Sequence, residues 1–135
     1  MRMKIVAFAV AAGFMLATGS AIAHHSFAAE FDANKPINLK GIVTKIEWSN
    51  PHTYFYIDVT GPDGKVVNWG MEMGSPNGLM RQGWTRNTMK VGDEVNVEGA
   101  QAKDGTFVGN ARAVVLVATG KRLFAASSQS ETPQR

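Results

Sequence analysis

The sequence contains no cysteine among its 135 residues. A disulfide scaffold is therefore excluded, and so is a lipid-modified N-terminal cysteine. A small domain without such cross-links depends for its stability on a packed apolar core or on something that it binds. Histidine is scarce as well, so any imidazole site can draw only on His24, His25 and His52.

Long apolar runs are also scarce, and the one that occurs lies close to the N terminus. Arg2 and Lys4 precede an uncharged, mostly apolar run over residues 5–17, and residues 21–23 (AIA) have the small-x-small pattern of a cleavage site. This combination predicts a secretory signal peptide over residues 1–23. The apolar run is shorter than the roughly 20 residues that span a bilayer. We therefore expect a periplasmic or secreted protein with no stable membrane insertion after the signal is removed.

An excess of positive charge is missing once the predicted signal is removed. The full chain has 14 Lys+Arg against 11 Asp+Glu, and loss of Arg2 and Lys4 leaves 12 − 11 = +1. A near-neutral domain lacks the basic surface that attracts polyanions, so we expect no nucleic-acid partner. Cleavage after Ala23 would leave 135 − 23 = 112 residues, enough for one small domain with a single core.

The most regular stretch is residues 39–73, where apolar and polar residues alternate in three runs. The runs cover residues 39–48, 53–60 and 65–73. They predict three antiparallel strands, because turn-forming residues separate them at 50–52 and at 61–64.

Alternation also assigns side chains to the two faces of each predicted strand. In the first strand Ile42, Ile46 and Trp48 share one face, with Val43 on the other. The core-facing set of the second and third strands is Phe55, Ile57, Val59, Val67, Trp69, Met71 and Met73. The glutamates that we expect to lie mostly on outward, solvated faces are Glu47, Glu72, Glu94 and Glu98.

A short helix is predicted after the third strand. Ser75 is a suitable N-cap and Pro76 suits the first helical position. Leu79 and Met80 are expected on the buried side, and Gly83 is a plausible stop. Two further strands are predicted over residues 94–100 and 106–117.

This order of elements matches a mainly β fold, a five-stranded OB-like Greek-key barrel with one helix between strands 3 and 4. We expect the barrel over residues 39–124, an N-terminal arm over 24–38 and a disordered tail over 125–135. Phe27 and Phe31 would pin the arm to the barrel. The alternative is a small open sheet or a sandwich with the helix across one end.

Four segments stand out as a set: HHSFAAEFD from His24, KPINLKGIVTKIEWSNPH from Lys35, GSPNGLMRQGW from Gly74 and MKVGDEVNVEG from Met89. Together they resemble an uncharacterised family of small exported proteobacterial proteins that share a domain of unknown function. The resemblance covers nearly all of residues 24–124. It implies an exported, single-domain protein, and it implies no particular activity or ligand.

The strongest candidate for chemistry is the mature N terminus. After cleavage at Ala23, His24 offers an α-amine and an imidazole, and the amine pKa of about 7.7–8.0 leaves an appreciable fraction unprotonated at neutral pH. His25 and His52 add imidazoles, and a nitrogen-rich set suits copper(II), nickel(II) or zinc(II). The arrangement resembles the copper histidine brace, so we predict a copper site at these three histidines. In the plainer interpretation, the first two are solvated and His52 bonds a nearby carbonyl.

An aromatic strand face is the alternative binding site. Tyr54 and Tyr56 are alternate residues of the second strand, and Trp48 ends the first. In an OB-like barrel this region belongs to the usual ligand-binding surface. The alternative function is therefore an interaction module for a small molecule, an envelope glycan or an exported protein.

Catalysis has less support than binding. His24, His25, Ser26 and Asp32 include the residue types of a nucleophilic triad, but no Gly-flanked elbow accompanies them. The sequence contains no phosphate loop and no dinucleotide fingerprint. We therefore predict no catalytic residue and expect a non-catalytic protein. Metal-dependent redox catalysis ranks third, after copper binding and the interaction module.

Overall fold

Residues 27–126 of the chain are described by a computed structural model. The predicted signal peptide, His24, His25 and residues 127–135 lie outside the described residues. The described part has six strands, one helix and a helical turn at residues 27–30, and none of its helices is long and apolar enough to cross a membrane. The elements are β1 (Phe31–Glu47), β2 (Tyr54–Thr60), β3 (Val66–Glu72), α1 (Pro76–Arg81), β4 (Glu94–Ala102), β5 (Val108–Leu116) and β6 (Lys121–Phe124).

All six strands belong to one sheet with the order β3-β2-β1-β4-β5-β6. Neighbours in this order are antiparallel, and a short parallel pairing of β3 with β5 joins the ends of the five-stranded part. Strands β1 to β5 therefore form a closed ring, and their inward side chains make most of the apolar core. The predicted mainly β fold with a helix between the third and fourth strands is confirmed at this level.

Strand β1 starts at Phe31, well before the start at Leu39 that alternation predicts. Phe31 pairs with Ala102 and Pro36 with Ala100, and the register shifts between these two pairs. Proline has no N–H to donate and the shift interrupts the period of two. The segment therefore has the sequence of a turn although it is strand, and the part of the predicted arm from Phe31 onward lies in the sheet.

A β-bulge divides β1 into two parts whose side-chain alternation is out of phase. The register against β2 shifts between Val43 and Lys45, so one strand carries an extra residue there. Before the bulge Val43 is buried and Ile42 is 43% exposed, whereas beyond it Ile46 and Trp48 pack against the core. The expectation that Ile42, Ile46 and Trp48 share one face is therefore wrong, because the extra residue changes the phase of the alternation.

The faces of β2 and β3 are as alternation predicts. The residues that are buried or packed against the core are Phe55, Ile57, Val59, Val67, Trp69, Met71 and Met73. Because Met71 and Met73 are fully enclosed by this cluster, their side chains fill the core.

Helix α1 begins where its capping residues predict. The hydroxyl of Ser75 accepts a 3.2 Å hydrogen bond from the backbone N–H of Gly78, and Pro76 occupies the first turn. Leu79 is buried as expected, but Met80 is 51% exposed. Consecutive residues of a helix point about 100° apart, so a six-residue helix that buries Leu79 turns Met80 toward solvent.

Strand β6 extends the sheet beyond the ring, and the sequence did not predict it. Its four residues include two cations and are too few for an alternating pattern to stand out. Arg122 of β6 donates two 2.9 Å hydrogen bonds to the Glu98 carboxylate of β4, and Arg112 of β5 donates a third at 3.4 Å. The hydrogen bond and charge of Arg122 lower the pKa of Glu98 to about 2.

Glu98→Gln should lower the free energy of unfolding at neutral pH but not in strong acid. The pKa of Glu98 falls from 4.5 to about 2 in the folded protein. Its contribution is therefore complete above about pH 4.5 and is lost as the pH falls to about 2. Because the ion pairs are exposed, the loss at neutral pH should stay below about 1 kcal/mol. Urea unfolding across this pH range measures it.

Glu94→Gln is the matched control, because Glu94 lies on the same strand and has one exposed partner, Lys40, at 2.8 Å. It should cost less than Glu98→Gln at neutral pH. A Glu98→Gln penalty that persists undiminished near pH 2 would contradict the assignment.

Candidate functional site

His52 lies at the corner between β1 and β2. The peptide bond before Pro51 is cis. The next residue, Thr53, is fully buried, and it donates a 3.0 Å backbone hydrogen bond to Gly74 and accepts one of 2.8 Å from Met73. Pairing thus extends by one residue before the start of β2 and beyond the end of β3, and it fixes the backbone beside the imidazole.

The imidazole contacts a buried carboxylate on the neighbouring strand. Nδ1 of His52 lies 2.5 Å from Oε1 of Glu72, and the hydroxyl of Tyr54 donates a 2.6 Å hydrogen bond to the other oxygen, Oε2. Tyr54 and Glu72 are direct partners in the register of β2 and β3. The side chain of Glu72 is 7% exposed and that of His52 is 30% exposed. We call His52, Glu72 and Tyr54 the corner triad.

The electrostatics of the corner triad are dominated by negative charge and burial. Burial raises the pKa of the Tyr54 hydroxyl, and the hydrogen bond and charge of Glu72 raise it further. The charge of Glu30 adds to this increase in the pKa of Tyr54. Glu30 lies immediately before β1, where its backbone carbonyl accepts a 2.9 Å hydrogen bond from the N–H of Lys103.

A second polar cluster lies beside the corner triad on the outer face of β1 and β2. Lys45 and Glu47 form a 2.5 Å ion pair, the Tyr56 hydroxyl donates a 3.3 Å hydrogen bond to Glu47, and the Lys45 ammonium lies 5.4 Å from the Tyr56 ring centroid. The hydrogen bond between Lys45 and Glu47 raises the pKa of Lys45 and lowers that of Glu47. Burial raises the pKa of Tyr56. The ring of Tyr56 packs over Gly70, where a Cβ would approach it to 3.2 Å.

Of the three histidines in the predicted copper site, the structure describes one. His24 and His25 lie outside the described residues. Across residues 27–126, no three His, Cys, Asp or Glu side chains are grouped so that they could hold a metal ion. Within that range the ring nitrogen Nε2 of His52 has no hydrogen-bond partner, so it is the ring nitrogen that remains available to a ligand.

The three aromatic residues of the alternative site do not share one surface. Tyr54 and Tyr56 are half-buried on the outer face, and each hydroxyl is bonded to a glutamate. Trp48 packs instead against the apolar core. The bulge in β1 brings Trp48 to the inner side, whereas Tyr54 and Tyr56 follow the uninterrupted alternation of β2.

Glu72 is the functional candidate that the sequence reasoning missed. We expected it on a solvated face, and it does point away from the core. It is nevertheless buried, and its two carboxylate oxygens contact His52 and Tyr54. The sequence feature that could have revealed it is the predicted hairpin turn at residues 61–64. Thr60 pairs with Val66, and counting six residues outward along each strand brings Tyr54 opposite Glu72.

The chain thus contains a mainly β domain with a histidine–carboxylate pair at one corner of its ring. Residues 13–111 match a family of unknown function, DUF6152. Because this match covers most of the sequence, the chain belongs to that family, and the predicted resemblance to a domain of unknown function is confirmed. No curated protein matches the chain.

Tyr54→Phe should destabilise the protein more than Tyr56→Phe. The first change removes a 2.6 Å donor from a buried carboxylate, and hydrogen bonds to charged groups contribute about 1.5–3 kcal/mol. The second removes a 3.3 Å bond to a more exposed carboxylate and should cost less than about 1 kcal/mol. Chemical denaturation of both variants measures the difference, and equal losses would contradict the special position of Glu72.

Proposed function

We propose that this protein is an exported, non-catalytic binding module that binds copper(II) through His24, His25 and His52. Removal of a signal peptide over residues 1–23 would make His24 the first residue and free its α-amine. The proposed location is the periplasm or the outside of the cell, and the proposed role is copper buffering or delivery. We propose that it has no nucleic-acid partner and that it does not insert stably into a membrane.

The observation that carries this proposal is the partly exposed imidazole of His52, whose Nδ1 contacts Glu72 while Nε2 has no hydrogen-bond partner among residues 27–126. The start of β1 is linked electrostatically to the same corner. The backbone carbonyl of Glu30 accepts a 2.9 Å hydrogen bond from Lys103, and its charge acts on the Tyr54 hydroxyl. His24 precedes Phe27 by three residues, which span at most about 10 Å when extended, and the helical turn at residues 27–30 rises about 1.5 Å per residue. The proposal requires that this length of chain bring the trimmed N terminus to His52.

The packing next to Glu30 supports an arm that is anchored at this end. Phe31 is buried, and its ring centroid lies 5.6 Å from that of Phe27. Aromatic pairs at this separation add about 0.5–1.5 kcal/mol beyond the area that they bury. The two phenylalanines are suited to holding the chain that leads back to the histidines.

The donor set suits copper(II) better than the harder cations. An α-amine, two imidazoles and Nε2 of His52 provide nitrogen ligands, which favour copper(II), nickel(II) and zinc(II), with copper(II) the tightest in the usual order. The carboxylate of Glu72 adds negative charge beside His52 without replacing these donors. Negative charge near a site of this kind stabilises a bound cation.

We also propose that the ring of strands is an OB-like barrel. The order β1-β2-β3-α1-β4-β5 and the parallel contact of β3 with β5 support this assignment. Ligands of this fold bind on strands 2 and 3 and on the loop between strands 1 and 2. The corner triad draws on those same elements, with β6 as an addition to the barrel.

The alternative is an interaction module whose aromatic face binds a small molecule, an envelope glycan or an exported protein. Tyr56 lies half-buried on this face, with the Lys45 ammonium 5.4 Å from its ring centroid. We rank this alternative second, because both tyrosine hydroxyls already donate to carboxylates. Ligand binding that survives replacement of all three histidines by alanine would favour it over copper.

Native-start protein should bind copper(II) tightly, and one extra methionine before His24 should weaken binding on the order of 100-fold or more. The extension removes the chelate of amine and imidazole, and loss of a direct ligand exceeds the 10–100-fold cost of losing an outer partner. His52→Ala should also weaken binding. Titration against a competing chelator measures each affinity.

Tyr56→Phe is the control for this series, because it leaves every nitrogen donor in place. Equal affinity of the native-start and extended proteins would overturn the proposed site. Intact mass of the exported protein fixes its first residue, and a mature chain that does not begin at His24 would overturn it too.

A further inference from the structure

We infer that Glu72 is a positioning residue, which keeps the proton of the His52 ring on Nδ1 and presents Nε2 as the unprotonated donor. Tyr54 holds Glu72 in place from the other side. This inference depends on the proposed function only for the identity of the ligand that Nε2 binds. The state of the ring is a property of the metal-free protein.

The geometry of the corner triad sets the direction of the hydrogen bonds. The Tyr54 hydroxyl donates to Oε2 of Glu72 at 2.6 Å, and Oε1 is left facing Nδ1 of His52 at 2.5 Å. An ionised carboxylate only accepts hydrogen bonds, so in the inferred arrangement Nδ1 carries the proton. A neutral imidazole has one protonated nitrogen, and Nε2 therefore keeps its lone pair.

Burial of the Glu72 carboxylate is energetically costly, and this cost indicates that the carboxylate has a role. A carboxylate removed from water costs several kcal/mol unless hydrogen bonds and charges compensate it, and apolar residues of similar size are often as stable. Glu72 is almost fully buried, yet its partner His52 remains 30% exposed. The buried end of the pair is thus fixed, and the exposed end is the one that can meet a ligand.

The ring is held at three points. The backbone of Thr53 is bonded to Met73 and Gly74, just after β3. Glu72 is fixed by its register with Tyr54, and Nδ1 is fixed by Glu72. Histidines that bind metals usually donate their other N–H to a carboxylate or carbonyl, which orients the ring and makes the ligating nitrogen more basic. The corner triad has this arrangement on the protein side.

The first experiment determines the tautomer of His52 in metal-free, ¹⁵N-labelled mature protein. Long-range ¹H–¹⁵N correlation of the neutral ring distinguishes protonation on Nδ1 from protonation on Nε2. The spectrum of His52→Ala assigns the signals. We expect Nδ1–H in the unsubstituted protein, and an Nε2–H ring would overturn the inference.

Glu72→Met tests the cause, because methionine has a similar length and accepts no strong hydrogen bond. We expect the His52 ring to lose its preference for Nδ1–H in this variant. Glu47→Met is the matched control: Glu47 is the partner of Tyr54 on β1 and has no contact with His52. An unchanged tautomer in Glu72→Met, in a sample whose ¹H–¹⁵N spectrum is folded, would also overturn the inference.

Copper binding provides a second readout. Glu72→Met should weaken copper(II) binding about 10–100-fold, the usual cost of losing an outer partner, whereas Glu47→Met should leave it within about twofold. If Glu72→Met fails to fold, Tyr54→Phe replaces it, with a smaller loss of affinity expected. Electron spin-echo modulation from the remote Nδ1 should change in either variant, and an unchanged modulation would count against a role for Glu72.

The two proposals fail in different ways. An Nδ1–H ring in a protein that binds no copper(II) would overturn the proposed function and leave the positioning role of Glu72 standing. Tight copper(II) binding to a protein whose metal-free ring is Nε2–H would leave the function standing and overturn the positioning role.

Discussion

The contact between the His52 ring and the buried Glu72 carboxylate is the interaction on which the candidate site depends. It joins the loop after β1 to the end of β3, and Tyr54 of β2 completes it. Three consecutive parts of the chain must therefore be in register before the carboxylate can be compensated. A shift of one residue would turn Glu72 toward the core and separate it from both partners.

The ring of strands supplies that register. The hairpin between β2 and β3 aligns Tyr54 with Glu72, and the bulge in β1 aligns Glu47 with Tyr54 from the opposite side. As a result a row of polar side chains crosses three strands next to the corner. The inner faces of the same strands are apolar and close-packed, so the polar row and the core fix each other's position.

Features set by local sequence were predictable. The alternation of β2 and β3, the Ser75 cap and the burial of Leu79 each follow from a few adjacent residues. Features set by pairing were missed: the start of β1 at Phe31, the bulge in β1 and the strand β6 all depend on partners distant in sequence. The site divides in the same way. His52 stood out by rarity, whereas Glu72 could be found only by counting the register of the hairpin.

The early start of β1 has a consequence for any group carried by the chain that precedes it. Glu30 is fixed to the sheet, because its carbonyl accepts a 2.9 Å hydrogen bond from the backbone N–H of Lys103 and the next residue, Phe31, begins β1. Residues 27–30 are positioned when the sheet folds, so a ligand that bridges this end of β1 and the corner triad has less ordering left to do.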